Sequence, residues 1–354
     1  MTAPALPLPA TRFVLPPGVE AAEPPEHRGL LRDGVRLLAV APDRARTHHF
    51  RDLPDLLEPG DLVVVNTSAT LAAALEGTRA DGRAVPVHVA TPLAADAWVV
   101  ELRAADGSGP DLTGVAGERV LLPDGLVAEL VAPHPARHRA PSRLWRVALS
   151  RPVDAAEYLA RHGSPIGYGY LAGRFPLAYS QTIFAMEPGS AEMPSAGRPF
   201  TADLVVRLVT RGVAVAPLVL HCGVSSPELH EPPQAERFEV PTATARLVNS
   251  TRVAGGRVVA VGTTVVRALE SASRPDGVVQ AAGGWTDLVL GPQRAARVVS
   301  GLVTGLHAPE ASHLLLLEAV AGAALVEKAY AVAVAERYLW HEFGDAMLFL
   351  PDRR

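Results

Sequence analysis

Apolar residues follow two different rhythms along the chain. The run Asp61-Leu-Val-Val-Val-Asn66, after the turn Glu58-Pro59-Gly60, is short and rich in β-branched residues, which predicts a buried strand. From about Glu76 to Leu149 the texture becomes short alternating segments, such as Val85-Pro-Val-His-Val89 and Trp98-Val-Val-Glu-Leu102. Turns at Asp106-Gly107 and Asp124-Gly125 separate them, a pattern that predicts a small β-barrel or sandwich. After Pro152, helical periods alternate with apolar strands. Thr201 can cap a helix with Leu204, Val205, Leu208 and Val209 on one face, and Gly212 can end it before a strand at 213–220. The unit recurs: 258–262 reads as a buried strand and Thr263-Thr264 opens a helix with Arg267 and Glu270 on its exposed side. Two long helices, around 312–324 and 326–339, close the pattern.

These rhythms predict an α/β protein, an α/β/α sandwich with an inserted all-β, barrel-like domain. The strand ending at Asn66 has no partner within the fragment before it, so residues 1–70 and 151–354 are assigned to one discontinuous domain and 71–150 to the insert. The Pro-rich residues 1–30 are expected to wrap over the surface. Prolines break the apolar start Met1-Thr-Ala-Pro-Ala-Leu-Pro, and no basic segment precedes it, unlike a secretory signal. The greasiest stretch, Leu314 to Val326, is interrupted by Glu318 and falls short of the ~18–20 residues of a membrane span. A buried helix and a cytoplasmic protein are the expectations.

Composition narrows the chemistry. Among 354 residues, 33 Lys+Arg face 37 Asp+Glu, a net charge of −4, so any nucleic acid must be held by a local patch. The single Cys222 excludes an intrachain disulfide and multi-cysteine metal centres, and no metal is expected. Cys222 follows His221, yet adjacent strand residues face opposite ways, so core packing is the expectation for the thiol. His134 and His138 flank Pro135 in a β region and read as surface residues. Gly167-Tyr-Gly-Tyr-Leu-Ala-Gly173 has no preceding strand and one residue too many for a dinucleotide fingerprint, so it reads as a glycine-rich loop. The stronger signal is strand–Gly262-Thr263-Thr264–helix. Free N–H groups at such a helix start can bind a carboxylate or phosphate, or Thr263 can simply be an N-cap.

Six collinear blocks carry a family resemblance. Val258-Val-Ala-Val-Gly262-Thr263-Thr264-Val-Val-Arg267-Ala-Leu-Glu270-Ser resembles a signature of the S-adenosylmethionine:tRNA ribosyltransferase-isomerases, enzymes of queuosine biosynthesis. The segment 52–66 ending in Asn66, Tyr179-Ser-Gln181-Thr with Pro188-Gly189, and Gly284-Trp-Thr-Asp287 resemble further family blocks. So do Thr304-Gly-Leu-His307-Ala-Pro309 and Phe343-Gly-Asp345-Ala-Met-Leu. The resemblance implies an α/β domain with an inserted β-barrel. It also implies transfer and isomerisation of the ribosyl part of S-adenosylmethionine, the co-substrate, onto 7-aminomethyl-7-deazaguanine in tRNA, giving epoxyqueuosine, adenine and methionine.

That chemistry asks for a base to take a proton from the ribose carbon acidified by the sulfonium, and for partners to the methionine carboxylate and ammonium. On the resemblance, His307 is the first choice for acid/base work, His221 the second, with Glu236 and Asp345 beside them. Thr263, Thr264 and Arg267 would bind the carboxylate; Glu270, Asp287 or Asp345 would bind the ammonium. Asn66, Tyr179, Gln181, Ser195, Gly197, Gly262 and Thr304 complete the implied substrate-binding set.

The chain departs from the family pattern at several polar positions. Thr67-Ser68-Ala69 stands for Asp-Thr-Arg, Arg198-Pro199 for Leu-His, Ser225-Ser226-Pro227 for Gly-Thr-Phe, Gln234-Ala235 for His-Ser before Glu236, and Gly305 for Asn. Two further readings therefore stand beside the family reaction. One is a paralogue that uses S-adenosylmethionine or a related nucleoside on a small-molecule acceptor; the other is a non-catalytic RNA or nucleoside binder. A monomer without membrane association is expected in each case.

Overall fold

The structure, a computed structural model, describes residues 7–135, 142–224 and 233–351. His138 and Ser225-Ser226-Pro227 lie outside the described residues. Nine strands form one mixed sheet in the order Ala282–Thr286, Glu236–Val240, Ala214–Leu220, Leu62–Asn66, Val258–Val261, Gly301–Gly305, Ala346–Phe349, Arg36–Ala41 and Arg44–His49. The four from Ala214–Leu220 to Gly301–Gly305 are mutually parallel. Continuous apolar runs follow from burial on both faces. Leu62 and Val64 pack with the helices Thr242–Val253, Thr263–Ser271, Ser312–Ala321 and Ala323–Ala335, whereas Val63 and Val65 pack with Phe200, Leu204 and Leu208 on the other face.

The seven strands between residues 74 and 149 form a second, wholly antiparallel sheet around a core containing Trp98 and Trp145. Its edge strands, Ala74–Leu75 and Thr78–Arg79, are nearly consecutive in the chain. Seven flat strands would hold their edges ~29 Å apart at ~4.8 Å per step, whereas three residues reach only ~10 Å. The sheet therefore curls round on itself as a half-barrel. Immediately before it, Ser68–Thr70 pairs in parallel with Glu187–Ser190.

Several expectations need correction. The helix Thr263–Ser271 buries Arg267 and Glu270, which are 6% and 0% exposed, because partners from distant segments reach both side chains. Thr201 does cap Ala202–Thr210, accepting from the Leu204 N–H, but Val209 is 56% exposed. The two expected C-terminal helices are present, but they divide at Gly322, at φ 84°, as Ser312–Ala321 and Ala323–Ala335. The N-terminal segment does more than cover the surface: Val19 and Ala21 are buried, and Thr11 donates its N–H and hydroxyl to Glu318 Oε1 at 2.8 and 2.9 Å.

Candidate active site

A cavity of about 620 Å³ opens beyond the carboxyl ends of the parallel strands, where ligands enter open α/β sheets. Three strand ends supply its inner wall: Cys222 and Gly223 after Ala214–Leu220, Gly262 to Thr264 after Val258–Val261, and Thr304 to Ala308 around the end of Gly301–Gly305. The curled sheet contributes His88, Glu101 and Arg103, and the glycine-rich loop contributes Gly167, Tyr168 and Tyr170.

Gly262, not Thr263, is the N-cap of its helix; its φ of 94° and ψ of 155° suit only a residue without a Cβ. Thr263 and Thr264 thus stand in the first turn, with amides that have no partner in the helix. Thr304 Oγ1 lies 3.0 Å from His307 Nε2. The Tyr330 hydroxyl receives the His307 N–H at 3.0 Å, and the His307 carbonyl accepts from Trp340 Nε1 at 3.1 Å, which fixes the loop. The His307 ring stacks on His313 at 4.6 Å and 3°. Burial, then the neighbouring His313, holds His307 well below the usual histidine range, and burial pushes His313 down to about 4. His307 is therefore neutral near pH 7: it can accept a proton but has none to donate as imidazolium. This corrects the expectation of a ring titrating near neutrality.

Arg267 lines the same cavity, and each of its three guanidinium nitrogens has a protein partner. It pairs with Glu236 and donates to the carbonyls of Leu288 (3.2 Å), Gln234 and Thr286 (both 3.0 Å). Glu236 also accepts from the Gly223 N–H at 3.0 Å, and burial raises its carboxyl. The guanidinium thus ties the Glu236–Val240 strand and the 286–288 turn to the helix, and its donors have protein partners already. Burial likewise raises the Cys222 thiol, so the residue is inert packing.

Of the sixteen residues given a catalytic or substrate-binding role from the sequence, eight line this cavity: Ser195, Glu236, Gly262, Thr263, Thr264, Arg267, Thr304 and His307. Eight do not line it. Asn66 clamps two strands, donating to the Leu220 carbonyl at 2.7 Å and accepting the Leu220 and Ser68 N–H groups. Gln181 bonds the backbone of Thr70 in both directions, and Tyr179 packs edge-on against His27 and Phe175. Gly197 packs against Thr182. His221 sits under Gly189, where a Cβ would overlap its ring, with Nδ1 2.8 Å from Ser68 Oγ. Ser68 also meets Ser190 Oγ at 2.6 Å.

Three of the acids sit elsewhere too. Glu270 accepts the amides of Arg297, Val298 and Val299 at 2.9–3.2 Å. Asp345 accepts from Arg36 and from the Leu339 N–H. Asp287 is exposed beside the turn. None of these three carboxylates lines the cavity.

The lining adds side chains that the sequence reading missed: His313, Tyr168, Tyr170, Glu192, His341 and Glu342. The only available signals were the tyrosines of the glycine-rich stretch and the position of Glu342 directly before Phe343-Gly-Asp345. Among the described residues, no group of three or more His, Cys, Asp or Glu side chains is arranged to hold a metal ion, and no helix is long and apolar enough to cross a membrane.

Known proteins are similar to this chain over most of its length. A family described as "Queuosine biosynthesis protein" matches residues 9–349. The S-adenosylmethionine:tRNA ribosyltransferase-isomerase of Dechloromonas aromatica is 34% identical, covering 95% of this chain and 94% of its own. That of Symbiobacterium thermophilum is 36% identical, covering 96% and 98%. The solved structure of an S-adenosylmethionine tRNA ribosyltransferase from Thermotoga maritima matches with a TM-score of 0.52 at 28% identity, over 96% of this chain and 99% of that one.

Proposed function

The chain belongs to the queuosine biosynthesis protein family, and we propose that it is an S-adenosylmethionine:tRNA ribosyltransferase-isomerase. It moves the ribosyl part of S-adenosylmethionine onto 7-aminomethyl-7-deazaguanine in tRNA, giving epoxyqueuosine, adenine and methionine. The observation that carries this reading is the convergence of the Gly262-Thr263-Thr264 helix start, Thr304 and His307 on one cavity of about 620 Å³, within the ~300–1,000 Å³ typical of small-molecule sites.

The residues divide the work by their chemistry. The first-turn amides of Thr263–Ser271 and the Thr263 and Thr264 hydroxyls suit the methionine carboxylate, which the helix dipole favours. Arg267 acts on this end of the site by holding its walls together rather than by touching the ligand. His307, neutral and oriented by Thr304, takes the proton from the ribose carbon next to the sulfonium. His221, Asn66, Gln181, Glu270 and Asp345 support the fold around the site. We read residues 71–150 as a β-barrel domain inserted into an α/β/α sandwich of residues 1–70 and 151–354, with the cavity between them; the strand order supports this division. The protein acts in the cytoplasm as a monomer, and local arginines hold the tRNA.

The test is to incubate purified protein with S-adenosylmethionine, with and without tRNA bearing the deazaguanine precursor, and to quantify adenine and methionine. Release of both only with that tRNA is the expected result. No release with it refutes the reading.

A further inference from the structure

Four carboxylates line the cavity, and two of them face arginines: Glu236 pairs with Arg267, and Glu101 with Arg143 at 2.7 Å. Glu342 is different. Its Oε2 accepts the Tyr170 hydroxyl, and no cation among the described residues lies within ion-pairing distance of it. Tyr170 in turn stacks with two rings. Tyr168 lies 5.5 Å from it at 6°, and His341 lies 4.4 Å from it at 16°. Tyr168 hydrogen-bonds Glu192 and feels both acids, which with burial hold its hydroxyl protonated. His341 adopts φ 72°, an unfavourable left-handed conformation for a residue with a Cβ, as the chain turns to present Glu342. The cavity wall is thus a ladder of flat rings edged with carboxylate oxygen.

We propose that Glu342, held by Tyr170 at this ladder, receives the primary amine of the acceptor base and takes its proton. The inference rests on the reading that the acceptor carries an aminomethyl group. Such an amine is an ammonium in water and has no lone pair with which to attack carbon. At Glu342 one N–H bond breaks, its electron pair stays on nitrogen, and the proton passes to the carboxylate oxygen; the products are a free amine and a neutral carboxylic acid. The flat rings of Tyr168 and His341 suit a planar unpaired base, whose stacking on aromatic side chains is the usual way an extruded nucleobase is held. An aliphatic methionine tail has no use for them, which separates this subsite from the amino-acid end at Thr263. Burial pushes the Glu342 carboxyl up to about 7, near the operating pH at which a general base works best. The titratable groups around it are Tyr170, Tyr168, Glu192 and His341, the last paired with Glu20 at 3.7 Å.

The test compares wild type, Glu342→Gln and Tyr170→Phe. Thermal unfolding and S-adenosylmethionine binding by calorimetry should match wild type within about twofold in affinity for both variants. Free 7-aminomethyl-7-deazaguanine should bind at least tenfold more weakly to Glu342→Gln, while the 7-methyl analogue, which lacks the amine, should bind both proteins alike. Turnover on precursor tRNA should fall by about 10²–10⁴ in Glu342→Gln. In Tyr170→Phe the acid limb of the kcat/KM profile should move to higher pH, because the ionised carboxylate loses a donor. Equal binding of the amine by wild type and Glu342→Gln, or unchanged turnover, overturns the proposal. So does loss of S-adenosylmethionine affinity in Glu342→Gln, which would make Glu342 the partner of the methionine ammonium. If wild type binds the amine selectively through Glu342 yet modifies no tRNA, the subsite stands and the tRNA reaction falls.

Discussion

The imidazoles of His307 and His313 lie face to face, 4.6 Å apart and 3° from parallel, inside the cavity. Two cationic rings would not stack at that distance in a buried place, and both are held neutral. Unfolded, each would titrate near 6.5. Above that pH both states are neutral and the pair adds no pH dependence. As pH falls from about 6.5 towards 4 the unfolded chain gains protons first, so stability drops by up to ~1.4 kcal/mol per pH unit per ring. Urea unfolding at pH 7.0 and 5.5 should show this loss, reduced in His313→Phe; a flat profile would show that the rings are not held neutral.

His307→Ala should lower kcat by about 10²–10⁴, as loss of a general base does, with an unchanged unfolding midpoint at pH 7.5. Full activity in this variant removes His307 from the chemistry.

Arg267 fastens three segments, so Arg267→Ala should destabilise the fold by ~3–5 kcal/mol, because it leaves the largely covered Glu236 carboxylate without its cation. Denaturant titration measures this directly. A loss below ~1 kcal/mol with selective loss of S-adenosylmethionine binding would return Arg267 to the role of ligand.

Gly262→Ala places a Cβ 3.4 Å from Ala196 Cβ and 3.5 Å from Thr264 Oγ1, at φ 94°. The strain is ~1–3 kcal/mol, and the first-turn amides must shift to relieve it. Calorimetry should show S-adenosylmethionine binding weakened at least tenfold. Gly305→Ala, where nothing lies within 4 Å of the new atom, is the control and should cost little stability.

Glu270→Gln weakens the acceptor of three amides and should cost ~1–3 kcal/mol of stability. At a permissive temperature its KM for S-adenosylmethionine should stay within twofold. A tenfold rise would place Glu270 at the ligand instead of beneath the loop at 297–299.

Local patterns carried much of this architecture. Leu62–Asn66 and Val258–Val261 were readable as buried strands because β-branched runs bounded by turns have few other uses, and the helix start at Thr263 followed from Gly262. What the pattern concealed was pairing over distance. Arg267 and Glu270 look like an exposed polar face until Glu236 and the amides at 297–299 close on them. Asn66, Gln181 and Asp345 look like ligands because polar residues in family blocks invite that reading, yet each satisfies backbone groups. Glu342 and Tyr170 are 172 residues apart in the chain, and no local rhythm announces their contact.

Mass spectrometry of nucleosides from precursor-bearing tRNA, after incubation with the protein and S-adenosylmethionine, reads the reaction itself. In wild type, 7-aminomethyl-7-deazaguanosine should disappear as epoxyqueuosine appears, and His307→Ala should block the conversion. An unchanged precursor nucleoside with folded, S-adenosylmethionine-bound wild-type protein would contradict this outcome.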